Sequence, residues 1–157
     1  MRAKIALAGG CLLAALPAAG NAQEVATPCS FELQVSDEFL PLLQSWGGLG
    51  VDDTAALCEQ IAAEGAGLNI VDDSGFAYFG TYAVVMVGLV DKASGLSSAD
   101  FRVGLTTMPG SEEIDRQTAL RQALQSAMTA LLANPDPLIA SLRNEITDTR
   151  RSLVPEG

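Results

Sequence analysis

Two runs rich in β-branched and aromatic residues dominate the hydrophobic pattern, one from Phe76 to Val90 and one from Ala99 to Met108, separated by Asp91-Lys92-Ala93-Ser94-Gly95. Apolar runs flanking a turn-forming cluster predict an antiparallel hairpin. With a period of two, Tyr78, Tyr82, Val84, Met86 and Val90 share one side of the longer run, and Phe79, Thr81, Ala83, Val85, Val87 and Leu89 share the other. Both sides become apolar toward its end, so this strand is expected at the centre of a sheet and covered on more than one side. Gly80 and Gly88 within it, and Gly104 within its partner, each mark either a bulge or a place where something packs closely on backbone, a helix being favoured over a ligand.

Upstream, Ser30 to Val35 alternates strictly, with Phe31, Leu33 and Val35 on one side, and predicts a half-buried strand. Gly67 to Val71 predicts a short strand, and Asp72-Asp73-Ser74-Gly75 a turn that feeds a three-stranded meander. Between these strands, Ser36 to Leu43 starts like a capped helix but carries Pro41, so a short or distorted helix is expected. Trp46, among the glycines of Ser45 to Gly50, is read as a core plug in preference to a ligand-stacking platform. Asp52 or Asp53 caps a further helix with Leu57, Cys58 and Ile61 on its apolar stripe and Gly65 at its end.

Beyond the hairpin the period changes to three and four. Ser111 is the expected N-cap of a helix whose stripe is Leu120, Ala123, Leu124, Ala127, Met128, Leu131 and Leu132, ended by Asn134-Pro135. A last helix from Asp136-Pro137 presents Leu138, Ile139, Leu142, Ile146 and Leu153, with Arg143, Arg150 and Arg151 toward its C-terminal end. The expected fold is α+β: an antiparallel three- to four-stranded meander sheet, helices mainly on one face, and a C-terminal helical hairpin.

The first residues add a compartment. Arg2 and Lys4 precede the apolar run Ile5 to Leu16, and Pro17 and small residues follow as far as Ala22. This is the pattern of a secretory signal peptide over 1–22, leaving a single domain over 23–157 in the periplasm or outside the cell. The run is shorter than the roughly 20 apolar residues of a spanning helix, so no transmembrane anchor is expected. Acylation at Cys11 is discounted, because cleavage there would leave almost no apolar segment before it and Ala8 stands where a leucine is usual.

Two mature cysteines then remain, Cys29 and Cys58, and in an exported chain an even pair predicts a disulfide tying the first mature strand to the helix that carries Cys58. Removal of 1–22 takes two of the nine basic residues and none of the nineteen acidic ones, so seven basic and nineteen acidic residues leave a formal charge of −12. Such a surface repels phosphate backbones and anionic lipid, which excludes a nucleic-acid function despite a helix–sheet–helix order shared with double-stranded RNA-binding modules.

The chain contains no histidine. That removes the commonest general base and metal ligand, and with both mature cysteines paired a thiol nucleophile is removed too. No catalytic, cofactor-binding or metal-ligating residue is assigned. Asp52-Asp53 and Asp72-Asp73 are adjacent carboxylates, but a cap and a turn account for them. Lys92 near the serines of Ser94 to Ser98 could form a serine–lysine dyad, but Asp91-Lys92-Ala93-Ser94-Gly95 reads as a hairpin connection.

The expected function is therefore non-catalytic: an accessory or binding protein of the cell envelope acting on a protein partner with a basic surface, its oligomeric state open. Two alternatives are a carboxylate-dependent hydrolase of an envelope glycan and a carrier of a small apolar ligand beneath Tyr78 to Leu89.

Overall fold

The computed structural model describes residues 2–7, 29–52 and 54–153; the expected cleavage site after Ala22, Asp53 and the side chains of residues 2–7 and of Leu153 lie outside what is described. The elements in chain order are β1 (Arg2–Leu7), β2 (Phe31–Ser36), α1 (Phe39–Ser45), α2 (Ala55–Ala63), β3 (Ala66–Ala77), β4 (Gly80–Asp91), β5 (Arg102–Met108), α3 (Glu113–Ala133) and α4 (Asp136–Leu153). The class is α+β, and the chain ends in two helices. Strands β2 to β5 lie side by side in chain order as a four-stranded sheet, and β1 runs along the outer edge of β2.

The sheet is mixed, which corrects the antiparallel meander. β3 is antiparallel to β4 and β4 to β5, but β2 and β3 are parallel, with Leu33 opposite Leu68 and Gln34 opposite Asn69. The reason is the connection: α1 and α2 carry the chain back to the end of the sheet where β2 began, and a return crossover makes neighbouring strands parallel. Alternation along a strand carries no information about the direction of its neighbour.

The turn expected at Asp72-Asp73-Ser74-Gly75 is also corrected. All four residues lie within β3, which pairs with β4 through twelve rows from Ala66 opposite Asp91 to Ala77 opposite Gly80. The chain reverses at Tyr78-Phe79 instead, and Gly80 takes φ +124° there, with a Cβ at that position only 2.2 Å from the Met108 carbonyl oxygen. Turn propensity is a weak local preference, and a continuous ladder of paired backbone groups overrides it. The hairpin between β4 and β5 does form where expected, through Lys92, Ala93 and Ser94.

On one face of the sheet Thr81, Ala83, Val85, Val87 and Leu89 are fully buried and meet the stripe of Leu120, Ala123, Leu124, Ala127, Met128 and Leu131 on α3. Leu57, Cys58 and Ile61 of α2, and Leu138, Ile139 and Leu142 of α4, join the same core. Gly104 is where α3 sits closest, as its glycine predicted. Gly88 is approached from the opposite face, by the Phe101 ring and the Ser98 hydroxyl. That segment covers the second face of β4 only at Gly88 and Val90, whereas Tyr82, Val84 and Met86 remain half-buried, so the expected double covering is partial.

Smaller differences concern helix ends. Thr54, not Asp52 or Asp53, occupies the N-cap of α2. Glu112, not Ser111, caps α3, in a reciprocal box with Asp115 whose carboxylate accepts the Glu112 N–H at 3.0 Å. A reciprocal pair contributes two bonds where a lone serine contributes one, which draws the boundary one residue on. Pro41 stands in the first turn of the seven-residue α1, where an N–H has no intrahelical partner to lose. Trp46, at the C-cap, packs edge-on to Phe39 with ring centroids 5.7 Å apart, in the role of core plug. Cys29 and Cys58 are joined as a disulfide with a Cα–Cα distance of 5.8 Å, tying the start of β2 to α2.

Candidate functional site

The face of the sheet away from the helices carries three cross-strand rows. They are Gly75–Tyr82–Thr107, Asp73–Val84–Leu105 and Val71–Met86–Val103. Directly opposed residues of an antiparallel ladder share a face, so six apolar or aromatic side chains stand together here. Exposure is greatest on β5 at the edge of the sheet, where Val103 keeps 56% and Leu105 66% of its surface in contact with solvent. Large apolar groups gathered on one open sheet face are the kind of patch that marks an interaction surface.

The tip of the β3–β4 hairpin adds an aromatic cluster. Tyr78 is fully exposed, Phe76 and Phe79 are about half exposed, and the Tyr78 and Phe79 rings meet edge-on with centroids 5.3 Å apart. The Thr81 hydroxyl donates to the Gly110 carbonyl at 2.9 Å and ties the base of the tip to the start of α3. Gly110 in turn lies against the Asp115 carboxylate, so the acidic first turn of α3, with Glu113 and Asp115, flanks the tip. Burial of the Arg116 guanidinium charge is offset at the same end, where it donates to Glu113 and, at 3.1 Å, to the Ser74 hydroxyl.

A cleft of about 220 Å³ opens at the edge between β2 and β3, lined by Gln34 to Asp37 and Asn69 to Asp72. Ser36 donates its hydroxyl to the Asp72 carboxylate at 3.1 Å and accepts the Phe39 N–H at 3.1 Å. Burial pushes the Asp72 carboxyl above its ordinary value, and the Ser36 bond opposes that shift. Gln34 Oε1 is buried here without a partner.

This cleft holds one carboxylate of the Asp72-Asp73 pair and not the other. Because both residues lie within a strand, alternation sends Asp72 to the helix side, opposite Val85, and Asp73 to the open face, opposite Val84. Glycoside hydrolysis needs two carboxyl groups flanking one bond, and adjacent strand positions separate them by the thickness of the sheet. Asp52 is an exposed loop residue.

Lys92 and Ser94 are likewise turned to other partners. Lys92 Nζ lies 3.9 Å from Glu32, and the Ser94 hydroxyl and backbone N–H both donate to Asp91, whose carboxyl those bonds hold below the ordinary carboxylate range. Beneath Tyr78 to Leu89, the place of an apolar ligand is taken by the packed side chains of Leu120, Leu124 and Met128. Among the described residues no three histidine, cysteine, aspartate or glutamate side chains gather as a metal site, and no helix is long and apolar enough to cross a membrane.

The open face and the aromatic tip are the features that sequence reasoning missed. Their signal was present in the apolar side of period two, Tyr82, Val84 and Met86, but an apolar face reads as covered until the positions of the helices are known. The chain matches no protein-family model, no curated protein and no solved structure.

Proposed function

We propose that this is an exported accessory or binding protein of the cell envelope, non-catalytic, that docks a protein partner on the open face of its sheet and its aromatic tip. The exposed row of Val103 and Leu105 beside Met86 and Val84 carries the reading. The partner is a protein with an apolar patch rimmed by lysine and arginine. Asp73 within the face, Glu113 and Asp115 beside the tip, and a formal charge of −12 after loss of 1–22 favour basic neighbours and disfavour anionic lipid. Exposed tyrosine and phenylalanine suit a protein interface, since they bring large area at small entropic cost.

A photo-crosslinking residue placed at Leu105, and another at Tyr78, tests this in the periplasm of expressing cells. A discrete protein adduct is expected at both positions, weakened by added salt and lost in a Val103→Asp variant that still folds. Adducts absent at both positions, or unchanged by Val103→Asp, would sink the proposal.

A further inference from the structure

β1 shows what the outer edge of β2 can hold. Arg2–Leu7 pairs with it antiparallel over six rows, from Arg2 opposite Ser36 to Leu7 opposite Phe31. Those same six residues lie within the segment expected to be removed on export, so the exported chain keeps β2 and loses the strand beside it. Among the described residues no other element pairs with that row of backbone N–H and C=O groups, which is a template for pairing with another extended chain.

Within β2 itself most of the usual protective devices are missing, Glu32 being the one charge. Phe-Glu-Leu-Gln-Val-Ser contains no proline, glycine or lysine to discourage a neighbour. It is also held in an extended form without β1: β3 pairs with its other side, the Ser36 hydroxyl accepts the Phe39 N–H, and the Cys29–Cys58 disulfide anchors its start. A strand that is already straight and fixed has little ordering left to lose on binding.

The register of β1 specifies the chemistry of the occupant. Ala3, Ile5 and Leu7 occupy the rows of the core-side residues Val35, Leu33 and Phe31, whereas Arg2, Lys4 and Ala6 occupy the rows of Ser36, Gln34 and Glu32. The two basic residues therefore fall on the alternate set of rows that also contains Glu32, in a strongly acidic chain. We infer that in the exported protein the β2 edge accepts, in antiparallel register, an extended partner strand in which apolar residues alternate with basic ones, and that the chain's own Arg2–Leu7 holds that edge until cleavage. This rests on the export reading and on a surface distinct from the open sheet face.

The test uses the chain expressed from its full sequence and purified from the periplasm, and its intact mass comes first. A mass corresponding to a start near Gln23 supports the export reading, while retention of residues 1–22 overturns both that reading and this inference. The probe is a synthetic peptide of the sequence Arg2 to Leu7, labelled with a fluorophore, added to the cleaved protein. Saturable binding is expected, with slowed amide exchange over Glu32 to Ser36.

Two versions N-methylated at alternate residues should differ, because only one set of strand N–H groups faces β2; equal binding by both overturns the proposal. A scrambled peptide of the same composition should bind at least about tenfold more weakly. Gln34→Lys should weaken binding about two- to fivefold, the size of a like-charge cross-strand pair, with unchanged thermal unfolding. No binding to the cleaved chain, protection at Arg102–Met108 instead, or β2 amides already protected in a dimer of the chain would each overturn the inference while leaving the export reading intact.

Discussion

A Cβ built on Gly104 would lie 1.8 Å from the carbonyl oxygen of Ala123, so helix α3 rests directly on the backbone of β5. No side-chain rotation relieves that approach, because the atom in the way belongs to helix backbone. Gly104→Ala should therefore push α3 off the sheet and cost about 3 kcal/mol or more, at the upper end of overpacking. Urea unfolding monitored by far-ultraviolet circular dichroism gives the number, and a loss well under 1 kcal/mol would mean that α3 does not sit there.

The disulfide ties positions 29 residues apart in sequence. On the chain-entropy account a closed loop of that length is worth about 3 to 4 kcal/mol, acting on the unfolded chain. A Cys29→Ala/Cys58→Ala double variant should lose that much in urea unfolding and keep the same fold, whereas reductant should have no further effect on it.

Asp72 should make stability depend on pH. Burial raises the folded-state pKa of Asp72, so the ionised carboxylate destabilises the fold above the raised value, and the penalty vanishes below the ordinary value of 3.8, where the group is protonated folded or unfolded. Asp72→Asn should raise the melting temperature at pH 7 and change nothing at about pH 3.

The Arg143 guanidinium donates to both carboxylate oxygens of Glu64, joining α4 to the end of α2. That hydrogen bond holds the Glu64 carboxyl below its ordinary 4.5, so the stabilisation is present above that pH and lost as pH falls through the depressed value. The pair is at the surface, and its contribution is small and screened by salt. Arg143→Gln should lower the melting temperature by less than about 3 °C at low ionic strength, with the difference shrinking in 0.5 M salt, an order-of-magnitude expectation for an exposed pair. A much larger loss would show a packing role for the Arg143 stem.

Several elements were legible one residue at a time. The period of two from Thr81 to Leu89 placed those side chains on the buried face, and the spacing of Leu120, Ala123, Leu124, Ala127, Met128 and Leu131 placed the stripe that covers them. Gly104 reported close helix packing because a missing side chain is itself a spatial statement. The Asp72-Asp73-Ser74-Gly75 segment misled for a corresponding reason: its composition speaks for a turn only while no partner strand competes, and β4 supplies one row for each of its residues.

By itself the amino-acid sequence determined the α+β class, the helical stripes, the long hairpin and the cysteines available for pairing, because each depends on periodicity or composition within a short window. Only the tertiary structure decided that β2 and β3 are parallel, that Asp72 and Asp73 part to opposite faces, and that the helices collect on one side and leave Val84, Met86, Val103 and Leu105 uncovered. Those facts depend on where a crossover returns and which face receives the helices. Both are set by contacts between residues far apart in the chain, which no local window contains.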